Sequence, residues 1–328
     1  MTPYLEIGGD YRQVLPGVHL VELPLPFSLG LVNVYLIRLS EGYMLVDCGM
    51  DTTACQEAMA RAVEGIGCGW SGIRQVLVTH MHPDHAGLAY KVLEWSGAQL
   101  LMSAEEADLL AALAGAQGRI QPEHDLLVDG GVAPDMIANI EFAFAGIRKT
   151  MRSLTPDRRM AGGETIPAAA GTLEVLLLRG HSRGHLCLYG AERRVLFSGD
   201  QILQHITPNI GWQPDHDALG EFLASLDRLE ALEIDLILPS HGAPFSGHRE
   251  WIRETRRHHA ERCAQIEASL AAEPKTAHEL VGDLWNRKLS QFHHRFAVFE
   301  VMAHLEYLQQ RERLGSRRED GALHWRLI

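Results

Sequence analysis

Short apolar runs, separated by glycine and proline, open the chain and predict β-strands. These runs lie at Val18–Leu23, Val32–Leu39 and Tyr43–Asp47. Apolar residues then recur at helical spacing over Thr53–Ile66, before another strand-like run over Ile73–Thr79. Strands that alternate with helices in this way predict an α/β fold for the first part of the chain.

The pattern changes to consecutive helices after residue 247. Helices are predicted over His248–Leu270, Thr276–Trp285 and Phe296–Leu314. An Asp320-Gly321 turn inside the last alternating stretch then predicts a β-hairpin. Three helices and a hairpin are typical of a winged helix. We therefore predict a catalytic domain over residues 1–247 and a winged-helix-like domain over residues 248–328.

Charge and cysteine content narrow the class of protein. The formal net charge of the 328 residues is −12, which disfavours nucleic-acid binding because phosphate contacts need a basic surface. The five cysteines form no Cys-x-x-Cys pair, a usage that favours a reducing compartment. No signal peptide and no apolar run long enough to span a membrane is visible, so we expect a cytoplasmic protein without a membrane span.

Candidate chemistry is concentrated directly after the last of the early strand-like runs. The segment His80-Met81-His82-Pro83-Asp84-His85 contains three imidazoles and a carboxylate, the groups that bind Zn²⁺ and similar metals. His80 and His82, two positions apart, can reach one metal. Asp84 and His85 can turn toward another.

Three later segments repeat the layout of an apolar strand followed by a candidate ligand. They are Gly180-His181-Ser182-Arg183-Gly184-His185, Ser198-Gly199-Asp200 and Pro239-Ser240-His241-Gly242. Each motif is a weak signal by itself, but the ordered set is specific. Together with Leu45-Val46-Asp47, the set makes the chain resemble the metallo-β-lactamase superfamily over about residues 12–250.

This resemblance implies a fold and a metal centre. The motif set looks most like that of glyoxalase II and related hydrolases, and the C-terminal pattern resembles the branch that includes lactamase-beta-like protein 2. The implied fold is a four-layer αββα sandwich with a winged-helix-like domain attached. The implied ligands are His80, His82 and His181 for one metal, Asp84, His85 and His241 for the other, and Asp200 as the bridge. Asp47 and His185 would lie behind these ligands. Two divalent ions are expected, zinc by default, with iron or manganese as alternatives.

A surplus of residues before His181, roughly residues 117–164, indicates a helical insertion. One face of its predicted helix is apolar and contains Met136, Ile140, Ala143, Phe144 and Ile147. Such a face either packs on the core or covers the metals as a lid. We favour the lid, with Phe144 facing the substrate cleft, and hence a small-molecule substrate with an apolar part.

For the reaction, the resemblance implies a hydrolase in which a metal-bridging hydroxide attacks a carbonyl of the thioester or lactone type. Metal-held water or Asp84 handles the proton, and Asp84 is the candidate catalytic residue. A phosphodiesterase or endoribonuclease is the alternative, which the net charge opposes. A mono-iron sulfur dioxygenase, using a subset of the same ligands, is a further alternative.

The remaining histidines are interpreted from their positions. His205 follows Asp200 in a loop that should border the site, so it is a candidate substrate contact. The others, in helical segments, are interpreted as surface residues: His258, His259, His293 and His294. The third C-terminal helix carries few basic residues. We expect it to pack against the first domain, or against a second copy of the chain in a homodimer, and not to read DNA.

Overall fold

The computed structural model describes residues 11–26, 29–115, 121–148, 150–169, 171–204, 207–213, 216–286 and 289–328. A first sheet in this part of the chain contains seven strands: β1 (Tyr11–Leu15), β2 (Val18–Pro24), β3 (Leu31–Arg38), β4 (Tyr43–Val46), β5 (Ile73–Leu77), β6 (Gln99–Ser103) and β7 (Arg158–Met160). They lie side by side in sequence order. Pairing is antiparallel from β1 to β4 and parallel from β4 to β7.

A second sheet contains β8 (Thr165–Ala168), β9 (Gly171–Leu177), β10 (Leu186–Gly190), β11 (Val195–Gly199) and β12 (Leu236–Pro239). Its spatial order is β12-β11-β10-β9-β8, and β11 and β12 are parallel. The two sheets face each other, because residues such as Leu20 and Ile37 of the first share one buried core with Leu173 and Phe197 of the second. This core is the centre of the first domain.

Helices cover the outer faces of both sheets. In the described part of the chain they are α1 (Thr53–Ile66), α2 (Pro83–Ala86), α3 (Ala89–Ser96), α4 (Ala104–Gly115), α5 (Gln121–Asp129), α6 (Pro134–Arg148), α7 (Ala218–Glu230), α8 (His248–Leu270), α9 (Ala277–Leu284) and α10 (Gln291–Gln309), with a 3₁₀ turn at Trp70–Gly72. Met59 of α1 shares a core with the first sheet, and Phe222 of α7 shares another with the second. The predicted order of layers, helix, sheet, sheet, helix, is confirmed. None of the described helices combines the length and the apolar character needed to cross a membrane.

The C-terminal region consists of α8, α9, α10 and an antiparallel hairpin of β13 (Leu314–Glu319) and β14 (Ala322–Leu327). The hairpin turns at Asp320 and Gly321, whose φ angles are 48° and 88°, because a tight turn of this kind needs two left-handed residues. The third helix was predicted to extend from Phe296 into the first hairpin strand. Instead α10 begins earlier, where Ser290 accepts a hydrogen bond from the His293 backbone N–H.

Helices α5 and α6 pack against α10. The Phe144 ring is 9% exposed and stacks on Phe292, with ring centroids 4.9 Å apart and planes 5° from parallel. Arg295 places its guanidinium 4.6 Å from the Phe144 centroid and pairs with Glu123 of α5 at 2.6 Å. Phe144 is therefore a core residue. The prediction that it faces a substrate cleft is wrong, because α10 supplies an apolar partner that lies about 150 residues away in the sequence.

Candidate metal centre

The candidate ligands lie together because each follows the end of a strand at one edge of the sandwich. The segment from His80 to His85 follows β5, His181 follows β9, Asp200 follows β11 and His241 follows β12. The turn before Asp200 depends on Gly199, which has φ 52°. A Cβ at that glycine would lie 2.6 Å from the His185 ring, so the chain can approach this closely only without a side chain.

Three imidazole nitrogens form the first group of candidate ligands. His80 Nε2 lies 2.9 Å from His82 Nδ1. His181 Nε2 lies 3.2 Å from the former and 3.1 Å from the latter. Ligands bound tetrahedrally to Zn²⁺ at about 2.0–2.1 Å stand about 3.3–3.4 Å apart. The spacing of these nitrogens therefore fits one tetrahedral metal ion.

Hydrogen bonds behind two of these rings fix which nitrogen carries the proton. The Thr79 hydroxyl donates to Asp47 at 2.9 Å and so accepts from His80 Nδ1, also at 2.9 Å. His181 Nδ1 donates to the Asn209 carbonyl at 3.0 Å. Each ring is left with a bare Nε2 that points at the other rings, and two bare lone pairs cannot hydrogen bond to each other. A cation would satisfy both.

The second group contains His85, His241 and Asp84. The Nε2 atoms of the two histidines lie 3.7 Å and 3.3 Å from Asp84 Oδ2. His85 Nδ1 donates to Asp47 at 2.8 Å, and His241 Nδ1 donates to the Leu31 carbonyl at 2.9 Å. Both Nε2 atoms are buried and lack a hydrogen-bond partner among the described residues. Buried nitrogens that lack a hydrogen-bond partner need an explanation. A bound metal ion would use their free lone pairs.

Asp200 lies between the two groups and directs one oxygen to each. Its Oδ2 is 3.5 Å from His181 Nε2. Its Oδ1 is 3.5 Å from His85 Nε2 and 3.6 Å from His241 Nε2. The Asp200 backbone N–H donates to His185 Nε2 at 3.1 Å, which places His185 behind the carboxylate and outside both groups. The geometry thus brings together the seven candidate ligands that the sequence suggested, with Asp47 and His185 behind them.

The electrostatics favour neutral imidazoles in the first group and ionised carboxylates at Asp84 and Asp200. Burial lowers the pKa of His80 well below its usual value and the pKa of His82 to about 3. Burial opposes ionisation of Asp84, but the nearby His85 outweighs it and the pKa of Asp84 falls to about 2. In the same way, the His241 and His85 charges hold the pKa of Asp200 well below its usual range. Burial opposes protonation of His85 and His241, but Asp200 and Asp84 outweigh it and raise the pKa of both rings, so a cation bound there would displace their protons.

Solvent reaches the centre at two of the seven candidate ligands. His82 and Asp84 are partly exposed. The other five candidate ligands are buried: His80, His85, His181, Asp200 and His241. Leu29 and Leu31, at the connection between β2 and β3, are 50% and 44% exposed, and the carbonyl of Leu31 contacts His241.

The segment 207–213 links the centre to the C-terminal helices. Asn209, whose carbonyl accepts from His181, donates its side-chain N–H to Glu300 of α10 at 3.4 Å. Trp212 donates its backbone N–H to the Phe299 carbonyl at 3.0 Å. The third C-terminal helix therefore packs against the first domain, one of the two arrangements expected for it. His205 lies outside the described residues.

Two residues near the centre were missed by the sequence interpretation. The Asn33 amide donates to the carbonyls of Pro239 and Gly242, at 2.9 Å and 2.7 Å, on either side of His241. Its signal was a polar residue inside the apolar run of β3. Glu106 follows Ser103 at the spacing of a capping box. Its backbone N–H does donate to the Ser103 hydroxyl at 3.3 Å, but its carboxylate contacts the metal-site loops instead.

One remaining histidine prediction is wrong. His259 is 2% exposed and contacts His304 of α10, with His259 Nδ1 and His304 Nε2 3.1 Å apart. The charged neighbours of His259 in the sequence suggested a surface position, but α10 covers this face of α8. His258 and His294 are partly buried and His293 is exposed.

Comparison with known proteins gives consistent matches along the chain. The family described as "Metallo-beta-lactamase superfamily" matches residues 28–241. The family described as "Metallo-beta-lactamase-like, C-terminal domain" matches residues 263–327. The crystal structure of a beta-lactamase domain protein from Burkholderia ambifaria superposes with a TM-score of 0.88 at 29% identity, covering 100% of this chain and 97% of that one.

Two curated relatives carry functional names. The chain is 24% identical over 324 residues to the probable metallo-hydrolase YqjP of Bacillus subtilis, covering 94% of this chain and 97% of that protein. It is 27% identical over 227 residues to the acyl-coenzyme A thioesterase MBLAC2 of Gallus gallus, covering 66% of this chain and 74% of that protein.

Proposed function

The chain belongs to the metallo-beta-lactamase superfamily and is a metal-dependent hydrolase, and we propose that it uses two divalent metal ions to cleave an acyl thioester. The observation that carries the two-metal part is the position of Asp200, with one oxygen toward each group of ligands. A carboxylate shared in this way keeps two cations close together despite their repulsion. Imidazole-rich groups with carboxylates favour zinc, and iron or manganese would also suit them.

In this proposal His80, His82 and His181 hold one ion, Asp84, His85 and His241 hold the other, and Asp200 bridges them. When bound, two such ions polarise a carbonyl and lower the pKa of a shared water toward neutrality. Asp47 keeps His85 in the tautomer that leaves Nε2 free, through the 2.8 Å hydrogen bond to Nδ1. His185 holds the Asp200 backbone in place from behind.

Hydrolysis adds water to the acyl carbon, so a C–O bond forms, the C–S bond breaks and the thiol leaves with a proton. Asp84 is the group that we propose to handle the proton. Its low pKa keeps it ionised at neutral pH, and its side chain is 16% exposed, so solvent reaches it. A positioned carboxylate is a common proton acceptor in such reactions.

A thioester is the favoured substrate for two reasons. Leu29 and Leu31 are exposed, and the Leu31 carbonyl accepts a hydrogen bond from His241, so apolar surface close in sequence to this contact is available to an acyl chain. The relative MBLAC2 is named as an acyl-coenzyme A thioesterase. The net charge of −12 opposes the endoribonuclease alternative, since binding of RNA depends on many contacts to its phosphate backbone.

The test combines metal analysis with a substrate panel. Purified protein is expected to contain two equivalents of metal and to hydrolyse acyl-CoA thioesters faster than lactones, phosphodiesters or RNA. Asp200→Ala, measured in parallel, should lose both metal and turnover. One equivalent of iron with oxygen uptake would indicate the sulfur dioxygenase instead, and preference for RNA would indicate a nuclease. Either result would overturn the proposal.

A further inference from the structure

Glu106 is a fully buried carboxylate in the first turn of α4, 0% exposed. Burial raises its pKa, because an ionised carboxylate loses its hydration there. Each of its oxygens accepts a backbone N–H. Oε2 accepts from Met81 at 2.9 Å, and Oε1 accepts from Gly184 at 2.6 Å.

The two N–H donors belong to different ligand-bearing loops. Met81 lies between His80 and His82, in the loop that follows β5 of the first sheet. Gly184 lies three residues after His181, in the loop that follows β9 of the second sheet. The three nitrogens of the first ligand group come from these two loops, so their mutual distances depend on how the loops are held across the interface between the sheets.

The close approach of α4 to the second loop also depends on Gly184. A Cβ at this position would collide with the Ser103 hydroxyl and would lie 3.0 Å from Glu105 Cβ. The glycine thus lets the first turn of α4 sit directly on the loop that carries His181. The Ser103 hydroxyl in turn accepts the Glu106 backbone N–H at 3.3 Å, which fixes the start of the helix.

We propose that Glu106 is a positioning residue that clamps these two loops together and thereby sets the metal affinity of the group formed by His80, His82 and His181. The inference rests on the proposed metal sites. A carboxylate suits this position because two N–H donors arrive from opposite loops and each needs an acceptor. Glutamine has the same shape but would place an NH₂ against one of the two donors.

The test uses Glu106→Gln, with Glu105→Gln as the matched control one residue earlier on the same turn. Glu105 pairs with Arg179, and both side chains are more than a third exposed, at 35% and 39%. Zinc affinity is measured by competition with a chromophoric chelator, and the coordination geometry is followed in the visible spectrum of the Co²⁺ form. Glu106→Gln should lose about 10- to 100-fold in affinity at one of the two sites and change the Co²⁺ spectrum, while the control matches the wild type.

A metal-free measurement separates the clamp from the proposed function. Amide hydrogen exchange of residues 80–85 and 181–185 in the apoprotein should accelerate in Glu106→Gln and stay unchanged in Glu105→Gln. Wild-type protein that binds fewer than two metals would count against the proposed function, whereas unchanged exchange in both loops would count against the clamp.

Three further outcomes would overturn the inference. The first is wild-type zinc affinity at both sites in Glu106→Gln. The second is an equal loss at both sites with slow exchange retained, which indicates a general effect on the fold.

If Glu106→Gln does not fold, the same measurements on Glu106→Asp decide, because aspartate keeps both oxygens but is too short to reach both donors. Failure of both variants to fold would assign Glu106 to the fold alone.

Discussion

Histidines are buried in two regions of this molecule, and their surroundings differ. At the strand ends, ring nitrogens with free lone pairs converge on one another and on Asp84 and Asp200. Between α8 and α10, His259 and His304 form a pair whose facing neighbours include Phe222, His258 and Arg262. No carboxylate is among the groups that shift the pKa of either ring.

This comparison shows that burial of histidine alone does not indicate a metal site. His304 Nδ1 donates to the Glu300 carbonyl at 2.8 Å, so His304 Nε2 accepts a hydrogen bond from His259 Nδ1. Of the four ring nitrogens of this pair, His259 Nε2 has no hydrogen-bond partner among the described residues. At the strand ends an acceptor behind the ring directs the bare nitrogen outward, and carboxylates supply the charge. These two features together distinguish ligands from core residues.

The largest effect is expected from removing the shared carboxylate at the strand ends. Asp200→Ala should lower kcat/KM by on the order of a thousandfold, equivalent to about 4 kcal/mol of transition-state stabilisation, because both ligand groups lose an oxygen. Metal content measured on the same sample should fall below two equivalents. A variant with normal turnover and two tightly bound metals would show that Asp200 is not the bridge.

The next test sets the two histidine regions directly against each other. His82→Ala and His241→Ala should each abolish hydrolysis, because each removes a ligand. His259→Leu should keep kcat close to the wild-type value while lowering the midpoint of urea unfolding, since it leaves a buried acceptor on His304 unpaired. His258→Ala and His294→Ala serve as controls with little expected effect on either property. Equal losses of activity in all five variants would contradict the distinction.

Phe144→Ala probes the packing of the insertion on the same helix that carries His304. The ring is buried against Phe292, so unfolding free energy should fall by about 3–5 kcal/mol, the usual cost of removing a buried phenylalanine. Relative rates for short and long acyl chains should not change. Phe142, which also lies on α6, is 84% exposed, so Phe142→Ala provides the control. A shift in chain-length preference with unchanged stability would restore the lid interpretation.

The smallest effect concerns the contribution of the His259–His304 pair to the stability of the fold at acid pH. Burial lowers the pKa of His304 to about 4 and that of His259 to about 2, against about 6.5 in the unfolded chain. As the pH falls, these histidines therefore bind protons in the unfolded state at a higher pH than in the folded state. The stabilisation is complete above about pH 6.5 and is lost as the pH falls toward the folded values, at up to about 1.4 kcal/mol per pH unit for each proton.

Urea unfolding of the metal-free protein between pH 7.5 and pH 5 measures this loss. His304→Leu should show a shallower pH dependence than the wild type, and the strand-end histidines contribute equally to both proteins. Parallel slopes would mean that the pair already carries a proton in the folded state.

Elements with strong local signals were predicted well from the sequence. Helix α1 matches its predicted bounds, as does α8. Helix α9 begins one residue after its predicted start, where Thr276 and Glu279 form a capping box. The hairpin turn at Asp320 and Gly321 also lies where it was predicted. In each case the signal and the structure involve residues close together in the chain, so hydrogen-bonding geometry within a few residues is sufficient.

What the sequence by itself determined is the identity of the candidate ligands and their placement after strands, because each motif is local and the order of the motifs is specific. Only the tertiary structure decided which side chains support them. Glu106 looked like a helix cap and proved to join two loops, His259 looked exposed and is covered by α10, and Phe144 looked like part of a lid and stacks on Phe292. Each of these contacts joins residues 25 or more positions apart, and a partner at such a distance leaves no periodic trace in the local pattern from which it could be inferred.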